Sequence, residues 1–131
     1  MPHLIIEYSA NLAASIEIDR LMKKLADKAV ETDIFPLGGI RVRAHRCEEY
    51  RVADGKPENA FIHVWARIGA GRDLETRKRG GQALFDVLCE HVAPIFDERP
   101  LTIGLEMQEL HAELNYRKNN IHAKLKAIAG A

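Results

Sequence analysis

The chain opens with the stretch PHLIIEYSANL (residues 2–12), in which an apolar run leads directly into a turn. Residues 4–6 are all branched aliphatic residues and Ser-Ala-Asn at 9–11 is turn-like, so the pattern predicts a buried strand that starts at Pro2. A strand in the core holds the chain in place, whereas a free terminus frays. We therefore expect the amino end of this protein to be fixed, and able to position a reactive group.

Pro2 is the reactive group that this position suggests. Processing commonly removes an initiator methionine that precedes a small residue, and removal of Met1 would leave Pro2 with a free secondary amine. An α-amino group has a reference pKa of about 7.7 to 8.0, so it can act as a base near neutral pH, and nearby cations or burial lower that pKa. If Met1 stays attached, the Pro2 nitrogen is an amide and cannot be a base.

Hydrophobic spacing then predicts a helix and a long strand. The helix is predicted over residues 11–31, with Asn11 as its N-cap. Pro36 and the glycine pair at 38–39 interrupt regular structure. A strand is predicted over residues 40–52, because the residues alternate between the two faces of a sheet. Its polar face carries the following side chains: Arg41, Arg43, His45, Cys47, Glu49 and Arg51.

The second half of the chain repeats this plan. Asp54-Gly55 predicts a hairpin-type turn before a strand at residues 60–68, and Asp73 is the expected N-cap of a second helix. Gly80 and Gly81 lie inside that helix, where each costs about 1 kcal/mol relative to alanine, so they indicate close packing there. A last strand is predicted at residues 101–109, followed by a short helix near 120–128.

The order β-α-β-β-α-β predicts an α+β fold in a single domain, residues 1–131, with two helices on one face of a four-stranded mixed sheet. Two helices cover only one face of such a sheet. The other face combines charged and aromatic residues, and this mixed pattern favours a partner subunit over solvent. The residues predicted on that open face are Arg41, Arg43, Phe61, His63 and Trp65.

Composition excludes several classes of protein. Nineteen basic residues balance nineteen acidic residues among 131, so no overall charge favours nucleic acid or an anionic membrane. The apolar runs are far shorter than a membrane span and no signal peptide is recognisable, so we expect a cytoplasmic protein. The two cysteines, Cys47 and Cys89, are expected to be free thiols in a reducing compartment.

Four segments carry a resemblance to a known family. In chain order they are PHLIIEYSANL (2–12), IFPLGGIRVRAH (34–45), FIHVWARIGAGRDLETR (61–77) and LEMQELHAELNYRKNNIH (105–122). Together they resemble the 5-carboxymethyl-2-hydroxymuconate Δ-isomerases, a family of the tautomerase superfamily, whose members use an amino-terminal proline. The resemblance implies a homotrimer with a tautomerase-like fold, in which the sheets enclose a central space.

The resemblance also implies an activity and a set of site residues. The expected reaction shifts the double bonds of a small dicarboxylate or tricarboxylate in homoprotocatechuate catabolism, a pathway of aromatic compound breakdown. Pro2 is the implied catalytic base, Arg41 and Arg72 are the implied carboxylate-binding residues, and Arg43 is a further candidate for substrate binding. Arginine suits this task because its planar guanidinium stays charged and can hold a carboxylate at two points. No metal or organic cofactor is required.

Other functions remain open from the sequence. The same base could serve another tautomerase, a decarboxylase or a dehalogenase, and the same sheet could belong to a ligand-binding module without catalysis. Six histidines raise the question of a metal site, but they lack the local spacing of metal ligands, so we do not predict one. Glu106, Gln108, Asn115, Tyr116 and Asn119 are candidates for a subunit boundary.

Overall fold

The computed structural model describes residues 1–130, which contain four strands and three helices. The strands are β1 (Pro2–Ser9), β2 (Arg41–Cys47), β3 (Ala60–Ile68) and β4 (Leu101–Glu109). The helices are α1 (Ile18–Glu31), α2 (Leu74–Glu98) and α3 (Ile121–Gly130). Short 3₁₀ turns follow at Ala10–Leu12 and Leu37–Gly39. The predicted β-α-β-β-α-β order and the third short helix are confirmed.

The sheet is mixed, with the strand order β2-β1-β3-β4. β1 runs parallel to β2 and antiparallel to β3, and β3 runs parallel to β4. The starts of β1 and β2 therefore lie at the same end of the sheet as the ends of β3 and β4. The chain thus brings its amino end together with the loops that follow β3 and β4.

The core lies between one face of this sheet and helices α1 and α2. Alternate residues of β1 and β3 are buried against the helices, as the sequence pattern predicted. Burial of apolar surface stabilises a fold by about 25 cal/mol per Å², so the contacts of this face favour the folded chain. The sheet residues buried most completely are Leu4, Ile6, Ile62, Val64, Ala66 and Ile68. The start of β1 is held by this core.

Helix α1 begins later than predicted. Glu17 has a left-handed backbone (φ 47°), so the helix starts at Ile18, and Asn11 is not its cap. The Asn11 side chain is used elsewhere: its Nδ2 donates to the carbonyl oxygens of Pro57 (3.1 Å) and Asn59 (2.8 Å). Asn11 therefore joins the end of β1 to the loop before β3, a long-range contact that competes with helix capping.

Strand β2 is shorter than predicted, and the predicted hairpin is wrong. The strand ends at Cys47 because its hydrogen-bonding partner β1 ends at Ser9, opposite Cys47. β2 and β3 lie on opposite sides of β1, so the chain between them has to pass the end of β1. A tight hairpin at residues 53–57 cannot make that connection, although Gly55 does adopt a positive φ of 82° there.

The start of α2 agrees with the sequence. The Asp73 side chain accepts a hydrogen bond from the Thr76 backbone N–H at 2.8 Å, as expected of an N-cap. Hydrogen bonding to the Thr76 side chain, and then to its backbone, holds the pKa of Asp73 below its usual value. Close packing accounts for Gly80, since a Cβ there would lie 3.0 Å from the Ile34 side chain. Gly81 has looser surroundings, with the nearest atom at 3.7 Å.

Candidate active site

The amino end of the chain lies in a recess at one end of the sheet. Pro2 is buried and pairs with Ile68, the last residue of β3. Met1, which precedes it, lines a cavity of about 760 Å³, here called the amino-end cavity. A second cavity of about 580 Å³ shares Met1 with it. Both volumes lie in the range of small-molecule sites, so the amino end adjoins space for a ligand.

Cationic and polar side chains converge on the amino-end cavity from three parts of the chain. Arg41 starts β2, Arg72 stands in the loop between β3 and α2, and further residues follow β4. Among residues 1–130, no aspartate or glutamate lines this cavity, so its positive charge is uncompensated. The polar lining residues are Arg41, Arg72, Arg117, Lys118, Asn119 and His122.

The Arg72 guanidinium is held in place by two backbone carbonyls and an aromatic ring. Its Nη1 donates to the Gly69 carbonyl and its Nη2 to the Ile34 carbonyl, both at 3.1 Å. The guanidinium also lies over the Phe35 ring, 5.0 Å from its centroid. These contacts use two of its five N–H donors, which leaves donors free for a carboxylate in the cavity.

Arg41 is positioned by His3, its neighbour across the strands. The Arg41 Nη2 lies 2.9 Å from the Nε2 of His3, and Arg43 Nη1 lies 3.3 Å from its Nδ1. Burial, followed by Arg41, Arg43 and Arg67, lowers the pKa of His3 below its usual value, which favours a neutral ring. A neutral imidazole accepts at one nitrogen only, so the shorter contact with Arg41 is the better hydrogen bond.

Arg43 lies on the open face of the sheet, beside His3. In the described part of the chain it lines neither of the two cavities next to Met1. The structure thus brings Arg41 and Arg72 together around the amino end but leaves Arg43 two residues further along β2. A role for Arg43 in substrate binding stays a prediction.

The α-amino group at this end has a lowered basicity. Burial is the largest cause that lowers the pKa of the Met1 amine below its ordinary value of 8.0. Three guanidinium groups lower that pKa further, in the order Arg41, Arg117 and Arg72. The positive charge of each guanidinium disfavours protonation of the amine, so the neutral form, which acts as a base, is favoured at this position.

The segment after β4 supplies site residues that the sequence reading did not assign to the cavity. Arg117, Lys118 and His122 were not singled out, and Asn119 was named only as a candidate for a subunit boundary. The available signal was topological: β4 ends at the same end of the sheet as Pro2 begins, so a polar segment after it must pass the amino end.

Three further properties bear on function. Within residues 1–130, no group of three or more His, Cys, Asp or Glu side chains is arranged to hold a metal ion. None of the helices in that range combines the length and the apolar character needed to cross a membrane. Cys47 and Cys89 are free.

Comparison with known proteins gives a consistent result. A family model described as 5-carboxymethyl-2-hydroxymuconate isomerase matches residues 2–125. The 5-carboxymethyl-2-hydroxymuconate Delta-isomerase of Escherichia coli is 40% identical over 126 residues, which cover 96% of this chain and 100% of that protein.

Solved structures agree with this match. A 5-carboxymethyl-2-hydroxymuconate isomerase from Deinococcus radiodurans R1 superimposes with a TM-score of 0.90 at 44% identity, covering 95% of this chain and 93% of that one. The W0 fused 4-OT wild type symmetric trimer has a TM-score of 0.68 at 17% identity, covering 88% of this chain and 93% of that one. The second likeness shows the fold alone.

Proposed function

The chain belongs to the 5-carboxymethyl-2-hydroxymuconate isomerase family, and on this basis we propose that it isomerises 5-carboxymethyl-2-hydroxymuconate to its 2-oxohex-3-enedioate form. The observation that carries the proposal is the family match over residues 2–125, which begins at the proline. The reaction moves one proton and shifts double bonds, so it requires neither a metal nor an organic cofactor. Its place would be in the breakdown of homoprotocatechuate-type aromatic acids.

Pro2 is the proposed base, after removal of Met1. Its neutral amine takes the proton from the 2-hydroxyl group of the substrate, the electrons of the O–H bond form the 2-oxo group, and the double bonds shift along the chain. A proton then returns to a carbon further along the conjugated system, which restores the charge balance. The pKa of the Met1 amine is lowered by burial and by nearby guanidinium groups, and the same surroundings would favour a neutral Pro2 amine, the form that can accept a proton.

Arg41 and Arg72 are the proposed carboxylate-binding residues, and Arg43, on the open face, is proposed as a third. A guanidinium fixed by backbone carbonyls, such as that of Arg72, loses little freedom when it binds a carboxylate. Preorganised cations also stabilise the negative charge that develops on the dienolate. The same groups therefore serve both substrate binding and the transition state.

We propose a homotrimer as the active form. Support comes from the open sheet face and from the likeness of the fold to a symmetric trimer. The substrate is a small anionic molecule, and neither a nucleic acid nor a membrane is a proposed partner.

Two measurements test this function. Intact-mass analysis of active protein should show a chain that lacks Met1. Pro2→Ala should lower kcat by about 10²- to 10⁴-fold, the usual contribution of a positioned base. Pro57→Ala, a substitution of the same kind in an exposed loop, is the control and should leave kcat unchanged. Full activity in protein that retains Met1 would disprove the role of Pro2.

A further inference from the structure

The segment at residues 115–122 crosses the amino end of the chain and is held at both of its ends. At one end the Asn115 Nδ2 lies 3.6 Å from the Met1 sulfur. At the other end the Asn119 Nδ2 donates to the Gly38 carbonyl at 3.0 Å, and its Oδ1 accepts from the Ile121 N–H at 2.6 Å. Removal of Met1 would break the first contact, so in the proposed active chain Asn119 is the anchor that fixes the backbone next to Arg117 and Lys118.

Gly38 makes the second anchor possible. The His122 ring packs so closely on Gly38 that a Cβ there would lie 2.5 Å from its Nδ1. Only glycine allows the start of α3 to lie this close to the Leu37–Gly39 turn. The turn and the segment together form one wall of the amino-end cavity.

Arg117 lies where the two cavities meet, since it lines both of them. Arg20, Arg46 and Arg77 each have a carboxylate within 4 Å, but Arg117 has none among residues 1–130. Its side chain is exposed, so its guanidinium donors are available to a ligand. An uncompensated cation beside three others, Arg41, Arg72 and Lys118, favours a ligand that carries several negative charges.

The guanidinium groups of the cavity equal in number the carboxylates of the proposed substrate, and Lys118 adds one further cation. Arg41, Arg72 and Arg117 approach the amine from three different elements, and 5-carboxymethyl-2-hydroxymuconate carries three carboxylates. Two arginines suffice to hold a dicarboxylate such as 2-hydroxymuconate, which lacks the carboxymethyl group. A third guanidinium has a partner only in a tricarboxylate.

We infer that Arg117 binds the third carboxylate of the substrate and so makes the site selective for tricarboxylates over dicarboxylates. This inference rests on the proposed function and adds a specificity-determining residue to it. The function of the 115–122 segment is then to position Arg117 at the cavity that Arg41 and Arg72 also line.

The test compares kcat/KM for 5-carboxymethyl-2-hydroxymuconate and 2-hydroxymuconate in wild type, Arg117→Gln and Arg117→Lys. Measurements are made on the alkaline plateau of each pH profile, where a change in the pKa of the base no longer affects the rate. Arg117→Gln should lower kcat/KM for the tricarboxylate about tenfold or more, mainly through KM, because a hydrogen-bonded ion pair is lost. For the dicarboxylate the change should stay within about twofold.

Arg117→Lys should recover part of the loss, since it keeps the charge but not the two-point contact. Lys126→Gln removes a cation from the exposed part of α3 and is the matched control, with both rates unchanged. Equal losses on both substrates, or no loss on either, would overturn the role of Arg117. Wild-type protein that turns over neither compound would contradict the proposed function itself, which separates the two failures.

Discussion

Arg41 influences two groups of the site, the amine and His3. It is the largest charged contributor to the lowered pKa of the Met1 amine and also the first charged contributor to the lowered pKa of His3. After removal of Met1, the Pro2 amine lies one residue deeper in the same recess. The charge on Arg41 should therefore act on the base directly.

The pH profile of Arg41→Gln tests this effect. Protonation inactivates the base, so kcat/KM falls as the pH drops through the pKa of the amine. A cation lowers that pKa, and its removal raises it, so the acid limb of the profile should move to higher pH in Arg41→Gln. Stopped-flow or steady-state rates across the pH range measure the limb directly.

Arg46→Gln is the control for this shift, since Arg46 lies on the same strand but pairs with Glu48 at the far end of it. Its acid limb should coincide with that of the wild type. If the acid limb of Arg41→Gln also coincides with that of the wild type, the charge on Arg41 does not affect the pKa of the base.

Among the elements, α2 contains two adjacent glycines, whose replacement by alanine can separate the effect of packing on stability from the effect of helix propensity. Gly81→Ala should raise the free energy of unfolding by about 0.5 to 1 kcal/mol, because alanine favours the helix and the added methyl meets only ordinary contacts. Gly80→Ala should lack this gain, because its methyl would lie 3.0 Å from Ile34 and force that side chain to move. Urea denaturation at one fixed protein concentration measures both variants.

The two substitutions control for each other, because they make the same chemical change one residue apart. Equal stabilisation by both would show that Ile34 yields without cost. Equal destabilisation would show that Gly81 also packs more tightly than its surroundings indicate.

The elements also show how far the sequence determines the fold. Alternation in residues 60–68 predicted the buried face of β3, because that signal is local. The end of β2 was not predictable from its own residues, since it depends on where β1 ends. Arg117 was missed for a similar reason: its segment has no periodicity, and its place follows from the contacts of Asn119 and His122 with Gly38. Arg41 and Arg72 were found because the resemblance named them.

For the whole molecule, the second face of the sheet is the surface that offers polar and aromatic side chains to a partner subunit. His63 packs edge-on against Trp65, whose Nε1 donates to Glu7 at 2.6 Å. In the part of the chain that the structure describes, the Nε2 of His63 is buried and has no hydrogen-bond partner. Glu106 is the nearest acid, at 3.9 Å. A buried polar atom normally has a partner, so this face is suited to receive one from another subunit.

A homotrimer that covers this face can be tested by light scattering coupled to size exclusion. Wild-type protein should have three times the 14.7 kDa mass of the chain. Trp65→Glu would add a carboxylate beside Glu7 on the face of every subunit, and like charges buried together are strongly unfavourable. This variant should dissociate and lose activity. Val30→Glu adds the same charge to an exposed site on α1 and should remain trimeric. A fully active wild-type monomer would show instead that the open face of the sheet needs no partner, and that His63 is satisfied by water.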